Sequence, residues 1–226
     1  MGEADAGAQA GETASGTIAR EQARLEAGRL LFAGPCDFLL SVAQLEQLPA
    51  PRRAEVAFAG RSNVGKSSLV NALTGRNTLA KTSNTPGRTR ELNFFALGPA
   101  CYLVDMPGYG YARAPKGQIS AWTRLITRYL AGRASLGRVF LLIDSRHGLK
   151  SSDEELMSLL DTSAVVYQAV LTKIDKVKSG EREKVLAAVS AALGRRPAAF
   201  PRILATSSRS NEGIDQLRAE IAELAG

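Results

Sequence analysis

The sequence predicts an α/β domain: a mainly parallel, six-stranded sheet with one antiparallel strand and helices on both faces. Three observations predict it. Beyond Pro51, short apolar runs alternate with longer amphipathic stretches, as crossover units on a parallel sheet require. The first run leads straight into GRSNVGKSS, Gly60 to Ser68, which has the spacing of a phosphate loop between a strand and a helix. The chain has 226 residues, enough for one substantial core and short for two.

Residues 1–16 are mostly Gly, Ala, Glu, Ser and Thr without periodic apolar positions; such a stretch cannot bury enough surface to offset ordering, so a disordered tail is expected. Its acids argue against a mitochondrial targeting peptide. A short helix is expected from Thr17 to Leu31, and the tail, disordered or partly helical, is counted as residues 1–28. A Pro- and Leu-rich lead-in follows, counted with the single domain of residues 29–226. Expected strands are Glu55–Ala59, Glu91–Leu97, Cys101–Asp105, Val139–Asp144, Val165–Leu171 and Arg202–Thr206. Expected helices are Lys66–Leu73 and then 117–132, 152–161, 181–193 and 212–224. Only Gly98–Pro99–Ala100 separates the second and third strands, which reads as a hairpin and supplies the antiparallel strand.

Composition excludes several classes. Hydrophobic residues are 45% and charged residues 23%, ordinary for a globular chain. The longest aliphatic or aromatic stretch, Val139 to Ile143, is far below the roughly 20 residues of a membrane helix. Two distant cysteines, Cys36 and Cys101, form neither a metal quartet nor a redox pair, so a reducing cytoplasm and no membrane are expected. Net charge is +7, which suits an anionic partner. Residues 1–28 hold five acids against Arg20 and Arg24, so the remainder carries +10.

The chemistry starts in the phosphate loop. Gly60 and Gly65 let the backbone curl so that the amides of Arg61, Ser62, Asn63, Val64, Gly65 and Lys66 can face phosphate oxygens. Lys66 supplies a cation for the β- and γ-phosphates. Ser67 offers a hydroxyl to Mg2+, and Ser68 continues into a helix whose positive end adds to the field. Base identity is read from Thr172–Lys173–Ile174–Asp175, at the end of a strand. Guanine presents N1–H and an exocyclic amine side by side, a donor pair that one carboxylate accepts and adenine lacks. Asp175 therefore selects GTP and GDP, and the stem of Lys173 can lie along the base. Asp105–Met106–Pro107–Gly108 closes the third strand: the carboxylate reaches a magnesium-bound water, and the Gly108 amide senses the γ-phosphate. Thr206–Ser207–Ser208 offers backbone amides to guanine O6. Metal candidates among these residues are Ser67 and Asp105; the residues alone do not choose a third among Thr82, Thr85 and Thr89.

GRSNVGKSS, TPGRTRELNFF (Thr85 to Phe95), LVDMPGYGYA (Leu103 to Ala112), LLIDSRHGL (Leu141 to Leu149) and LTKID (Leu171 to Asp175) together resemble the EngB family of ribosome-biogenesis GTP-binding proteins, over about residues 32–225. The resemblance implies a P-loop GTPase G domain that hydrolyses GTP with Mg2+ and assists assembly of the large ribosomal subunit, with ribosomal RNA or a large-subunit precursor as partner. It implies a role for Gly87, Arg88 and Thr89 in nucleotide binding, with Thr89 as the switch threonine that completes magnesium coordination. Arg90 stands where members commonly carry Gln. The acidic tail has no counterpart in the resemblance.

For hydrolysis, Tyr109 occupies the place of the water-orienting Gln of Ras-like proteins, so slow intrinsic turnover is expected. The catalytic candidates are Lys66, Thr89, Gly108 and Asn63. In related GTPases an Asn at the position of Asn63 holds K+; the alternative is a side chain that only fixes the loop. Tyr109 and Tyr111 fit packing or effector contact equally. His147, with no second His or Cys nearby, reads as a loop anchor. From Arg76 to Arg146 eleven basic residues face three acids, a setting for RNA phosphate next to the nucleotide sensors. The protein is expected to act as a monomer. Two rivals stand beside this reading: a signalling GTPase that recruits a protein effector without RNA, and an ATP-dependent small-molecule kinase.

Overall fold

The computed structural model describes residues 4–76, 79, 91–109 and 116–226, with side chains described from Gly16 onward and, in the helix that begins at Lys116, from Arg124 onward. Chain order is α1 (Ala4–Ala33), β1 (Cys36–Val42), a short 3-10 turn at Leu45–Gln47, β2 (Ala54–Gly60), α2 (Lys66–Thr74), β3 (Leu92–Leu97), β4 (Cys101–Asp105), α3 (Lys116–Gly132), β5 (Leu136–Asp144), α4 (Ser151–Thr162), β6 (Tyr167–Thr172), a 3-10 turn at Ile174–Lys176, α5 (Ser179–Leu193), β7 (Leu204–Ala205) and α6 (Ile214–Ala225).

The sheet has seven strands in the order β1-β3-β4-β2-β5-β6-β7, one more than expected. The added strand is β1, from the lead-in. Its exposed Phe38 and Leu39 and a register break between Phe38 and Leu40 hide the alternation by which a half-buried strand is recognised. The single antiparallel strand is confirmed as β3, which pairs antiparallel with both β1 and β4; the 98–100 turn makes the expected hairpin. All other pairings are parallel. Because β2, β5 and β6 are covered on both faces, they read as continuous apolar runs rather than alternating ones. One face packs Leu125, Ile126 and Tyr129 of α3, Leu156 and Leu160 of α4 and Val189 of α5. The other packs Phe32 of α1, Leu69 and Leu73 of α2 and Leu217 and Ile221 of α6.

The tail differs most from expectation. Helix begins at Ala4 rather than Thr17 and runs 30 residues. Residues 4–16 have no apolar periodicity and contain five alanines and three glycines but no proline, so the helix continues outward from the docked part by propagation rather than by strong propensity. That docked part crosses the expected boundary at residue 28. Arg24 pairs with Glu223, Glu220 and Glu21. A Cβ on Gly28 would lie 2.6 Å from the Ala219 amide nitrogen, so only glycine lets α1 and α6 approach this closely. Glu220, 1% exposed, gathers Arg24, Arg138 and Arg202 at 3.2, 2.7 and 2.5 Å. A buried carboxylate is tolerated only with such pairing. On the opposite face Glu55, fully buried, accepts from Tyr129 at 3.0 Å, Ser135 at 2.9 Å and Arg133 Nε at 2.8 Å.

Candidate functional site

Because β2, β4, β5, β6 and β7 run the same way, their carboxyl ends share one rim of the sheet. That is where open α/β sheets bind ligands. The strands end in or beside Gly60, Asp105, Asp144, Thr172 and Thr206. The sequence-predicted candidates within the described residues therefore converge, although they are spread over some 150 positions of chain.

The loop from Gly60 to Gly65 turns β2 into α2. Its two glycines work differently. Gly65 has φ +106°, a conformation that side chains avoid. Gly60 is needed for space: a Cβ there would sit 2.8 Å from Val64 Cγ1 and 3.0 Å from Leu142 Cβ. Asn63 adopts φ +63°, which asparagine tolerates; among the described residues, nothing hydrogen-bonds its side chain. Lys66 opens α2 and pairs with Asp105. Both side chains are 12% exposed, so the cation and the carboxylate that the sequence assigned separately to phosphate and magnesium touch one another. Ser67 follows on the first turn of α2, and Ser68 is exposed.

The segment after β4 is stitched to this loop. The Met106 amide donates to the Phe58 carbonyl at 3.0 Å, Tyr109 N–H to Gly60 O at 3.3 Å, and Ser62 N–H to Tyr109 O at 3.2 Å. Pro107 is buried, and Gly108 passes so close that a Cβ would meet Ser62 Oγ at 2.8 Å. The Tyr109 hydroxyl donates to Asp153 at 2.9 Å. Burial, then the neighbouring Asp153 charge, pushes that phenol far above its ordinary range, so it stays protonated. Burial also raises Asp153, against the bonds from Tyr109 and the Lys150 amide.

At the end of β6, Thr172 Oγ1 donates to the Val64 carbonyl at 2.7 Å, and Lys173 Nζ donates to the next carbonyl back, Asn63, at 2.6 Å. Lys173 Nζ also meets Asp144 Oδ2 at 2.8 Å. The base-recognition segment thus braces the phosphate loop directly, a contact that spacing in the sequence does not reveal. Asp175 accepts from Ser207 Oγ at 2.7 Å; this bond, against some desolvation, holds its carboxyl below the usual range, so it is ionised at neutral pH. Ile174 N–H bonds to Thr206 O at 3.1 Å, joining the two base-side segments. Of the three amides expected to face guanine O6, Thr206 N–H bonds to Leu171 O at 2.7 Å and Ser207 N–H to Glu212 O at 2.9 Å. Ser208 N–H has no partner among the described residues. Ser207 thus contributes through its hydroxyl, a role the sequence reading missed.

Gly87, Arg88 and Thr89 lie outside the described residues, as do Thr82, Thr85, Arg90 and Tyr111. Within the described residues, Ser67 and Asp105 are hard oxygen donors of the kind Mg2+ takes alongside phosphate oxygens and water, and no cluster of three or more His, Cys, Asp or Glu forms a rival metal centre. His147 is exposed; its backbone amide bonds to the Asp144 carbonyl at 3.0 Å, a bond that does not depend on the imidazole.

The basic stretch is sorted by the structure. Arg76 pairs with Asp37, Arg133 with Glu55, Arg138 with Glu220 and Arg146 with Asp144. Arg124 and Arg128 are exposed on α3 and have no acidic partner among the described residues. Between Asp105 and Asp144 the sequence contains no Asp or Glu.

Known proteins resemble this chain over most of its length. Residues 55–173 match the family model described as 50S ribosome-binding GTPase. The chain is 61% identical over 204 residues to a protein of Cereibacter sphaeroides named probable GTP-binding protein EngB, covering 90% of this chain and 94% of that one. It is 60% identical to its namesake in Ruegeria pomeroyi, over 88% and 92% of the two chains. A crystal structure of a probable GTP-binding protein engB superposes with a TM-score of 0.61 at 23% identity, covering 76% of this chain and 98% of that one.

Proposed function

From the chain's membership of the EngB family of P-loop GTP-binding proteins, we propose that it is a magnesium-dependent, GTP-hydrolysing switch that assists assembly of the large ribosomal subunit in the cytoplasm. The observation that carries the nucleotide assignment is the convergence of Lys66, Lys173 and Asp175 on one rim, with Lys173 and Thr172 bonded to the carbonyls of the phosphate loop. Asp175 would read the guanine edge, Ser208 N–H would meet O6, and the stem of Lys173 would lie along the base.

Hydrolysis would be in-line attack of water on the γ-phosphate. The loop amides and Lys66 would hold the phosphates, with Lys66 exchanging the Asp105 carboxylate for phosphate oxygens. Ser67, Asp105 through water, and Thr89 would hold Mg2+, which supplies positive charge to the phosphate oxygens. Gly108 would report the γ-phosphate to the segment that follows. Tyr109 does not orient water as glutamine does; its hydroxyl is committed to Asp153, which supports slow intrinsic turnover.

Asn63 offers one further reading, a K+ ligand: it stands exposed in the phosphate loop at φ +63°, and its side chain makes no bond among the described residues. Replacing Na+ by K+ at constant ionic strength is then expected to raise the GTP turnover number at least several-fold; equal turnover in the two salts removes the assignment.

For the ribosomal partner, the support is the family's description together with the acid-free stretch that bears Arg124 and Arg128. Phosphate-rich RNA binds such surfaces with release of counterions. Co-sedimentation with large-subunit precursors is expected with GTP and to weaken with GDP. Arg124→Glu with Arg128→Glu is expected to reduce it further while leaving GTP hydrolysis in free solution intact. Absence of any nucleotide-dependent co-migration would favour a signalling switch that recruits a protein effector instead.

A further inference from the structure

We propose that Asp144 is a positioning residue of the guanine pocket: it pins the Lys173 ammonium against the phosphate loop, and so fixes where that side chain's stem can lie under a purine. The inference rests on the GTP reading above and adds a residue that neither the phosphate loop nor the base-recognition motif contains.

Asp144 is the last residue of β5, and it stands in parallel register with Thr172, the last of β6. Lys173 follows Thr172 at φ +58°, which turns its side chain back over the rim. Its Nζ then has two acceptors, the Asn63 carbonyl at 2.6 Å and Asp144 Oδ2 at 2.8 Å, while its Cε lies 3.5 Å from the point where a Cβ on Gly65 would be. The carbonyl alone would fix a direction. The carboxylate adds charge and a second point, so a four-carbon chain with many rotamers is held in one course. Asp144 itself is fixed. Arg146 grips it with Nε to Oδ1 at 2.9 Å and Nη2 to Oδ2 at 2.7 Å, and the Arg146 amide adds a bond at 3.1 Å. Burial of this carboxylate opposes its charge, but the bonds from Arg146 and Lys173 prevail and hold it well below the usual carboxylate range. Thr172 gives its hydroxyl to Val64 O, and Ser145 Oγ ties the turn to the Thr172 carbonyl at 2.6 Å. The Lys173–Asp144 pair is the charged link, and through Lys173 it carries the turn's grip on to the phosphate loop.

The test is a double-mutant cycle in the full chain, read by the affinity for GDP in the presence of Mg2+. Asp144→Asn, nearly isosteric, is expected to weaken GDP binding roughly tenfold, as residues sharing one ionic network couple. Lys173→Ala should weaken it at least as much, and the double variant no more than Lys173→Ala alone. The preference for GDP over XDP should persist in Asp144→Asn, because Asp175 is untouched. Thermal melting without nucleotide shows whether each variant is folded; Asp144→Ser serves in the cycle if Asp144→Asn is not. Affinity of Asp144→Asn within twofold of the parent, or effects of the two substitutions that simply multiply, would overturn the proposal and leave Asp144 as a turn-former only. If the parent chain binds no guanine nucleotide at all, the GTP reading fails and the inference falls with it.

Discussion

Lys66→Ala is expected to abolish tight binding of both GTP and GDP, with losses of at least about a thousandfold, on the order of 4 kcal/mol. Two effects are expected. Binding loses the Lys66 cation that would meet the phosphates, and the nucleotide-free chain loses the partner that Asp105 holds in the structure. Asp105 is 9% exposed, so its charge would be left poorly solvated. Truncating one member of a largely buried pair costs more than the pair contributes, because the survivor cannot return to water. Melting of the variant without nucleotide reads the second effect: a lower melting temperature reports the stranded carboxylate, while the loss of affinity belongs to the phosphate contact. Isothermal calorimetry that finds affinity within tenfold of the parent would mean that the phosphates bind elsewhere.

Asp175→Asn is expected to lower GTP affinity by roughly a thousandfold and to move the preference toward xanthine nucleotides. The carboxylate accepts from both N1–H and the exocyclic amine of guanine. An amide there offers one acceptor and one donor, and its N–H groups would confront the guanine amine. Xanthine has a carbonyl at that place, which the amide can satisfy. The structure makes this substitution clean, since Ser207 donates to Asp175 Oδ1 and an asparagine oxygen can accept the same bond. Competition of GTP and XTP for the variant, followed with a fluorescent nucleotide, measures the shift. Unchanged preference would place the base pocket away from this rim.

Much of the molecule is legible in its sequence where local chemistry is specific. The phosphate loop, the Asp105 segment and the Thr172–Asp175 segment fall at strand ends as spacing predicts, because each needs a turn out of a buried strand. Strand Cys101–Asp105 has the expected limits. What spacing cannot show is which side chains meet across the rim. Asp144 reads as one acid in a basic stretch until β5 and β6 are placed in register. Ser207 reads as an amide donor until its hydroxyl is seen on Asp175, and the Lys66–Asp105 pair joins residues 39 positions apart. The basic run likewise looked uniform, yet Arg133 and Arg138 are spent on the buried carboxylates Glu55 and Glu220. Strand β1 was hidden for the opposite reason: its exposed apolar residues obscure the alternation.

The antiparallel embrace of α1 and α6 has a consequence for biosynthesis. Domains generally fold as units, and the groove that receives Phe32 and Gly28 does not exist until residues 214–225 have been made. The first helix must therefore wait, solvated, through nearly the whole of translation, and its alanine-rich, acid-bearing composition suits a segment that has to stay out of trouble until its counterpart arrives.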